Sequence, residues 1–385
     1  MKTRAVAYQA SHHVTTRYSR THTTKLTDLL ARLVEAGPYE MDFDPNELGD
    51  LFDHVSHVLS DEKSVIELKG DVYVIGNLEG GYRDLFRWFS ICGWPPSSTF
   101  LFLGGCINAE EPSSLETLTL LFALKKALPK HIHMIRGEAE GLPLNIGNRG
   151  FPTRISTSKA LSFLPIAAII NKKILCVHGG IPSKLKSLDA VKYVKRPLAK
   201  VDRRSLEGRI FLSFPEDEFD FDFGVDATQT GGATTTAVTA GGEKKTASTA
   251  LGFISADIDE ALERLGMDLM IRAKSPCKTG ISFLSPHIYS LWSAPGVLGA
   301  SAGCALHVDS DLTMTAYRLY AWGELNTGTR PSSLHSRLSD NVELNRIDVN
   351  AILEAMQKNP SPVPAKTVTT SKPRTNDKKE TKKDK

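Results

Sequence analysis

The sequence is poor in cysteine and offers no paired-thiol pattern. Its five cysteines, Cys92, Cys106, Cys176, Cys277 and Cys304, form no CxxC pair and are odd in number. That disfavours a disulfide scaffold and fits a reducing compartment, cytoplasmic or nuclear. No uninterrupted apolar run reaches membrane-spanning length, so no membrane role is expected. No secretory apolar region follows Met1. Acidic residues are absent from the first 27 positions, which carry Lys2, Arg4, Arg17, Arg20 and Lys25 among many Ser and Thr. The composition is transit-peptide-like but lacks the large apolar residues of an amphipathic helix, so residues 1–24 are expected to form a disordered basic arm.

What is present is an ordinary soluble composition, 41% hydrophobic and 24% charged over 385 residues, enough for one large domain or two smaller ones. The net charge of +3 is uneven. Residues 359–385 hold eight basic and three acidic side chains, so the remainder sums to −2. The basicity belongs to a Lys-rich tail expected to be disordered, and no folded nucleic-acid-binding face is indicated. A Gly/Thr/Ala-rich stretch at 224–250, without periodicity, reads as a flexible insertion within a domain spanning 25–325. An extension, 326–358, precedes the tail.

Two helical patterns open the domain. "KLTDLLARLVEAG" spaces Leu26, Leu29, Leu30 and Leu33 helically, with Gly37 to close. "PNELGDLFDHVSHVL" places Leu48, Leu51, Phe52, Val55 and Leu59 on one face, with Pro45 in the first turn. Four β-branched or apolar runs then end in glycine: "DVYVIGNLEGG", "STFLFLGGCIN", "KHIHMIRGEAEG" and "NKKILCVHGGIP". Helical segments separate the first three, the second of them, "SSLETLTLLFALKKALP", opened by Ser114. This predicts βαβ units with a site at the carboxyl ends of the strands. The later runs "MDLMIRAK", "GISFLS", "HIYSLWSAP", "GCALHVDSD" and "LTMTAYRLYAW" suggest a second, more antiparallel sheet. The helix "SADIDEALERLG", capped by Ser255 or Asp257 and closed by Gly266, leads into it.

These segments, in this order from about Leu48 to Leu319, resemble the metal-dependent serine/threonine phosphoprotein phosphatases, the type-one branch most closely. The resemblance rests on "DLFRWFSICGWPPSSTFLFLG", "SLETLTLLFALKKALPKHIHMIRG", "LPIAAIINKKILCVHGGIPS" and "LWSAPGVLGASAGCALHVDSDL". It implies an α/β fold of the calcineurin-like metallophosphoesterase kind, a central β-sandwich flanked by helices. It also implies hydrolysis by a water bridging two metal ions, with arginines holding the phosphate and a histidine protonating the leaving oxygen.

The strand tips depart from that pattern. "GNLEG" stands for Gly-Asp-x-His-Gly, so the metal aspartate and histidine become Asn77 and Glu79. "GGCINAE" stands for Gly-Asp-x-Val-Asp-Arg-Gly, so the bridging aspartate is Gly105, the orienting aspartate Asn108 and the phosphate arginine Ala109. "GEAE" stands for Gly-Asn-His-Glu, so the metal asparagine is Glu138 and the acid histidine Ala139, while Glu140 is kept. His178 in "HGG" is the one metal ligand unchanged; the last falls at Lys274. The second phosphate arginine aligns near Ala247, and the substrate-loop tyrosine becomes Val297. These replacements imply a catalytically inactive, pseudophosphatase-like protein with no metal cofactor, in which Lys274 neutralises Glu138 and Glu79 where a metal stood. The alternative is a divergent phosphatase holding a single manganese, iron or zinc ion at Glu79, Glu138 and His178. The resemblance further implies an apolar groove, at Leu269, Phe283, Leu306, Leu312 and Met314, for regulatory proteins bearing an Arg/Lys-Val-x-Phe strand, or a surface for phosphoproteins. Alternation alone does not distinguish that groove from ordinary core.

Overall fold

The computed structural model describes residues 25–108, 111, 113–141, 158–216 and 251–321. The arm at 1–24, the insertion at 224–250, the extension at 326–358 and the tail at 359–385 lie outside them, as do Ala109 and Ala247.

Two sheets pack face to face. The first has five strands in the order β13-β12-β2-β3-β4: β2 (Val72–Ile75), β3 (Thr99–Phe102), β4 (Ile132–Met134), β12 (Ala302–Val308) and β13 (Met314–Tyr320). The second has six in the order β1-β5-β6-β9-β11-β10: β1 (Val65–Leu68), β5 (Ala167–Ile170), β6 (Ile174–Cys176), β9 (Leu269–Arg272), β10 (Ile281–Ser285) and β11 (Ile288–Leu291). Val72, Val74, Leu101 and Ile135 from one sheet meet Ile170, Cys176, Ile271 and Leu291 from the other in a single buried cluster. Apolar side chains at successive positions form the inner strands β5, β6 and β9 because both faces are covered, whereas the edge strands β1, β10 and β13 are partly exposed.

Helices cover the outer faces. α1 (Lys25–Ala36), α2 (Pro45–Asp61), α3 (Tyr82–Cys92) and α4 (Ser114–Ala127) pack on the five-stranded sheet around Phe52, Phe86, Phe100 and Phe122. α5 (Asp189–Lys192), α6 (Leu206–Leu212) and α7 (Ser255–Leu265) cover the six-stranded sheet through Val191, Ile210, Phe211 and Ile258. The two amino-terminal helices fall where their leucine spacing predicts, and Gly37 and Gly266 close their helices with φ of 71° each.

Two expectations change. The later strands do not make a sheet of their own: β9, β10 and β11 extend the sheet of β5 and β6, while β12 pairs antiparallel with β2. The four glycine-ended strands are thereby split, three in one sheet and β6 in the other. α4 does open at Ser114, with Ser113 at the cap position, and the Ser114 hydroxyl bonds the Asn108 backbone. α7 begins at Ser255 with Ile254 at the cap position, so neither Ser255 nor Asp257 is its N-cap.

Candidate functional site

The carboxyl ends of β2, β3, β4, β6 and β9 converge where the sheets meet. Gly104 and Gly105, at the end of β3, both have positive φ, 87° and 65°. A side chain on Gly104 would run into Gly137, its Cβ lying 2.6 Å from the Gly137 Cα, so the absence of one lets two tips touch. Glu140 clamps the same tips. Its buried carboxylate accepts from the backbone N–H of Gly105 at 3.0 Å, Cys106 at 2.8 Å and Gly137 at 2.9 Å. Burial raises the Glu140 carboxyl above the ordinary range, and these donors pull it back. The sequence shows Glu140 as retained, but its role emerges only from this geometry.

The β2 tip closes across the β3 tip. Leu78 and Glu79 donate their N–H groups to the Gly105 carbonyl. The Asn77 side chain bridges two sites: its Oδ1 accepts from the Lys274 backbone N–H at 2.9 Å, and its Nδ2 donates to Glu79 Oε1 at 2.7 Å. Glu79 Oε2 accepts from Asn108 Nδ2 at 3.0 Å. Glu79 is thus held by two neutral amides. Burial nevertheless raises its carboxyl above the ordinary range, and the nearby Glu140 pushes the same way.

Lys274, with a φ of 73°, turns its ammonium onto Glu138 Oε2. This corrects one expectation: Lys274 pairs with Glu138, whereas Glu79 is served by Asn77 and Asn108. The β2 and β3 tips carry the two amides that occupy both Glu79 oxygens. His178 is buried, and its Nδ1 donates to the Leu103 carbonyl at 2.9 Å, so Nε2 carries the ring's lone pair. Burial, with Lys274 and Arg272 adding to it, lowers the imidazole to about 3.

Glu138, His178 and Lys274 do come together, as the alignment of tips implies. They do not make a metal site. A Cβ on Gly105 would stand 2.5 Å from Asn77 Cγ, so the Asn77 amide fills the space a bridging carboxylate would need. Among the described residues no group of three or more His, Cys, Asp or Glu is arranged to hold a metal ion. The single-ion set of Glu79, Glu138 and His178 is therefore not assembled: Glu138 faces an ammonium and both Glu79 oxygens face amide N–H groups. Among the described residues the strand-tip donors do not fit a one- or two-metal centre. Ala139 starts a short turn, Ala139–Gly141, and packs half-buried against the helical core. Val297 packs beside Trp292 and Cys277.

The five groove positions divide. Leu269 and Leu306 are buried in the core between the sheets, and Leu312 and Met314 lie half-buried against it. Phe283 is 63% exposed and meets the Tyr289 ring edge-on.

A two-sheet sandwich with helices on both faces, and a site at glycine-ended strand tips, defines a metallophosphoesterase architecture. The chain belongs to the calcineurin-like phosphoesterase family, whose sequence profile matches residues 48–272, more than half of it. Its fold is shared with a Saccharomyces cerevisiae protein serine/threonine phosphatase described as similar to human phosphatase PP5. That match has a TM-score of 0.59 at 20% identity and covers 75% of this chain and 92% of the yeast one. A cold-active protein-tyrosine phosphatase of a Shewanella species matches with a TM-score of 0.45 at 12% identity, covering 67% and 84%.

Proposed function

We propose that this protein is a phosphatase-fold binding module that does not hydrolyse phosphomonoesters by the family's two-metal route. One observation carries the reading: the Asn77 amide occupies the space of the missing carboxylate at Gly105, while the Lys274 ammonium lies on Glu138. A glycine supplies no bridge between two metal ions, and a cation beside the remaining carboxylate opposes binding of another. Replacement of the acid histidine by Ala139 and of the phosphate arginine by Ala109 removes proton donation and charge stabilisation as well. The partners would be regulatory proteins carrying an Arg/Lys-Val-x-Phe strand, with Phe283, Leu312 and Met314 as the more open groove positions, or phosphoproteins. No metal step is assigned to these residues.

The second reading is a divergent phosphatase with a remodelled site. It draws on His178, whose Nε2 lone pair is the form that ligates metal. The test is elemental analysis of the purified full chain for manganese, iron and zinc, with turnover of a phosphopeptide and an aryl phosphate in added manganese. The expected result is no stoichiometric metal and no turnover above a blank. Bound metal with turnover abolished by His178→Ala would overturn the binding-module reading.

A further inference from the structure

The other end of the six-stranded sheet carries a built cationic cleft. It has a volume of 560 Å³, in the range of ligand pockets, and lies between the β5–β6 turn, the segment around Lys186–Lys192 and the end of α7. Lys172, Lys186, Lys192 and Arg264 line it, against Glu67 and Asp189. Of the two acids, Asp189 pairs with Lys192 at 3.5 Å. Ile169, Leu188, Leu265 and Met267 supply an apolar floor. Lys172 lies in the turn before β6 and His178 beyond its other end, at most roughly 20 Å of chain away, so the cleft is distinct from the strand-tip site.

Its walls are fixed in advance. Asn171 and Lys172 have φ of 47° and 60°, and Lys173 N–H bonds the Ile170 carbonyl at 3.0 Å, a tight turn of the primed type. Asn171 is itself anchored: its Oδ1 accepts from Gly70 N–H at 2.9 Å and its Nδ2 donates to the Ser310 carbonyl at 3.1 Å. Arg264 Nη1 donates to the carbonyls of Ser183 and Leu185, tying α7 to the opposite wall. Those bonds occupy its Nη1 without neutralising its charge. A second cleft of 550 Å³ continues from the same Glu67 and Lys172 to Lys69 and Leu312. Lys184 and Lys195 add exposed positive charge to the segment beside it.

We infer that this cleft binds an acidic peptide segment of a partner protein. Aspartate or glutamate side chains pair with the cationic rim, and an apolar side chain covers Ile169 and Met267. Charge complementarity selects the occupant: the chain's own tail, with eight basic residues between 359 and 385, is repelled by the same rim. Preorganised walls reduce the ordering cost of binding. The inference is independent of whether the strand-tip site hydrolyses anything.

The test is fluorescence anisotropy of the full chain with a labelled Asp/Glu-rich peptide containing leucine. The comparison peptide carries Asn and Gln in place of the acids. Lys172→Glu combined with Lys186→Glu reverses charge at two exposed positions. Lys382→Glu with Lys383→Glu controls for attraction by the tail. The acidic peptide is expected to bind, the amide peptide not, and the cleft pair to weaken binding by about tenfold or more while the tail pair leaves it unchanged. If circular dichroism shows the cleft pair misfolded, Lys186→Gln with Lys192→Gln replaces it with the same expectation in direction. The proposal is overturned if the parent binds no acidic peptide, if the cleft pair binds as the parent does, or if the tail pair loses as much. Displacement of the peptide by inorganic phosphate at its own concentration would overturn it in favour of a phosphate site. A dimer in sedimentation that the cleft pair dissolves would overturn it in favour of a second copy.

Discussion

Gly105 concentrates the residue-scale consequences. It combines a φ of 65° with a neighbour, Asn77, already in the place of any side chain it might gain. Gly105→Asp therefore restores the family's residue type without restoring its space. The expected result is a loss of roughly 1–2 kcal/mol of stability from the left-handed backbone, with the Asn77 amide pushed off its partners, measured by urea denaturation, and no gain in manganese uptake. Unchanged stability with new metal binding would show that Asn77 yields its position readily. The same logic explains why Glu79 is tolerated. A half-buried carboxylate without an ammonium persists because two amide donors reach its two oxygens. The identities of the replaced residues were legible in the strand-tip motifs. The pairing of Glu79 with amides was not, because it depends on Asn77 and Asn108 facing one point from different strands.

Among elements, α4 organises the altered tips. Ser113 Oγ and Thr117 Oγ1 both donate to the Gly80 carbonyl, at 2.8 and 2.9 Å, and Ser114 Oγ bonds the Asn108 backbone in both directions. The helix start thus holds the β2 and β3 loops although neither loop carries the family's reactive side chains. Thr117→Val keeps the shape and removes one buried donor. It is expected to cost about 1 kcal/mol in denaturant midpoint terms with an unchanged slope. No loss would mean that Ser113 alone satisfies Gly80. The helix was evident from its length and apolar content, but its hydroxyl partners were not, since Ser114 looks like a cap until the Asn108 turn is placed beside it.

At the scale of the whole molecule, acid sensitivity follows from histidines held neutral, His54 on α2 and His133 on β4 among them. Burial, helped by Lys126 and His57, lowers His54 to about 4. Burial, helped by Lys125 and opposed by the Lys130 carbonyl, lowers His133 to about 4. Their folded values lie below the unfolded value near 6.5, so the unfolded chain binds more protons between. Stability is expected to be full above pH 6.5 and to fall as pH drops towards 4, with Glu79 and Glu140, shifted upward, opposing the trend. Chemical denaturation across this range tests it: His54→Asn with His133→Asn should reduce the slope and leave the part owed to His178, lowered further still, and an unaltered slope would assign the whole to His178 and other groups.

Periodicity and the glycine-ended runs determined the helices and individual strands, because both are encoded in residues adjacent along the chain, whereas the sandwich architecture was what the family resemblance implied. Set against the family pattern, the tip motifs imply which side chains are replaced. Only the tertiary structure decided how the β-strands divide between two sheets, that Lys274 belongs to Glu138, and that the Asn77 amide fills the space above Gly105. Only it raised the Lys172–Arg264 cleft from scattered lysines. Each of these joins residues far apart in sequence, Asn77 to Lys274 across 197 positions and Glu138 to Lys274 across 136. Such contacts are selected by packing competition at the meeting of two sheets, where space and hydrogen-bond geometry choose among partners that the one-dimensional pattern leaves equivalent.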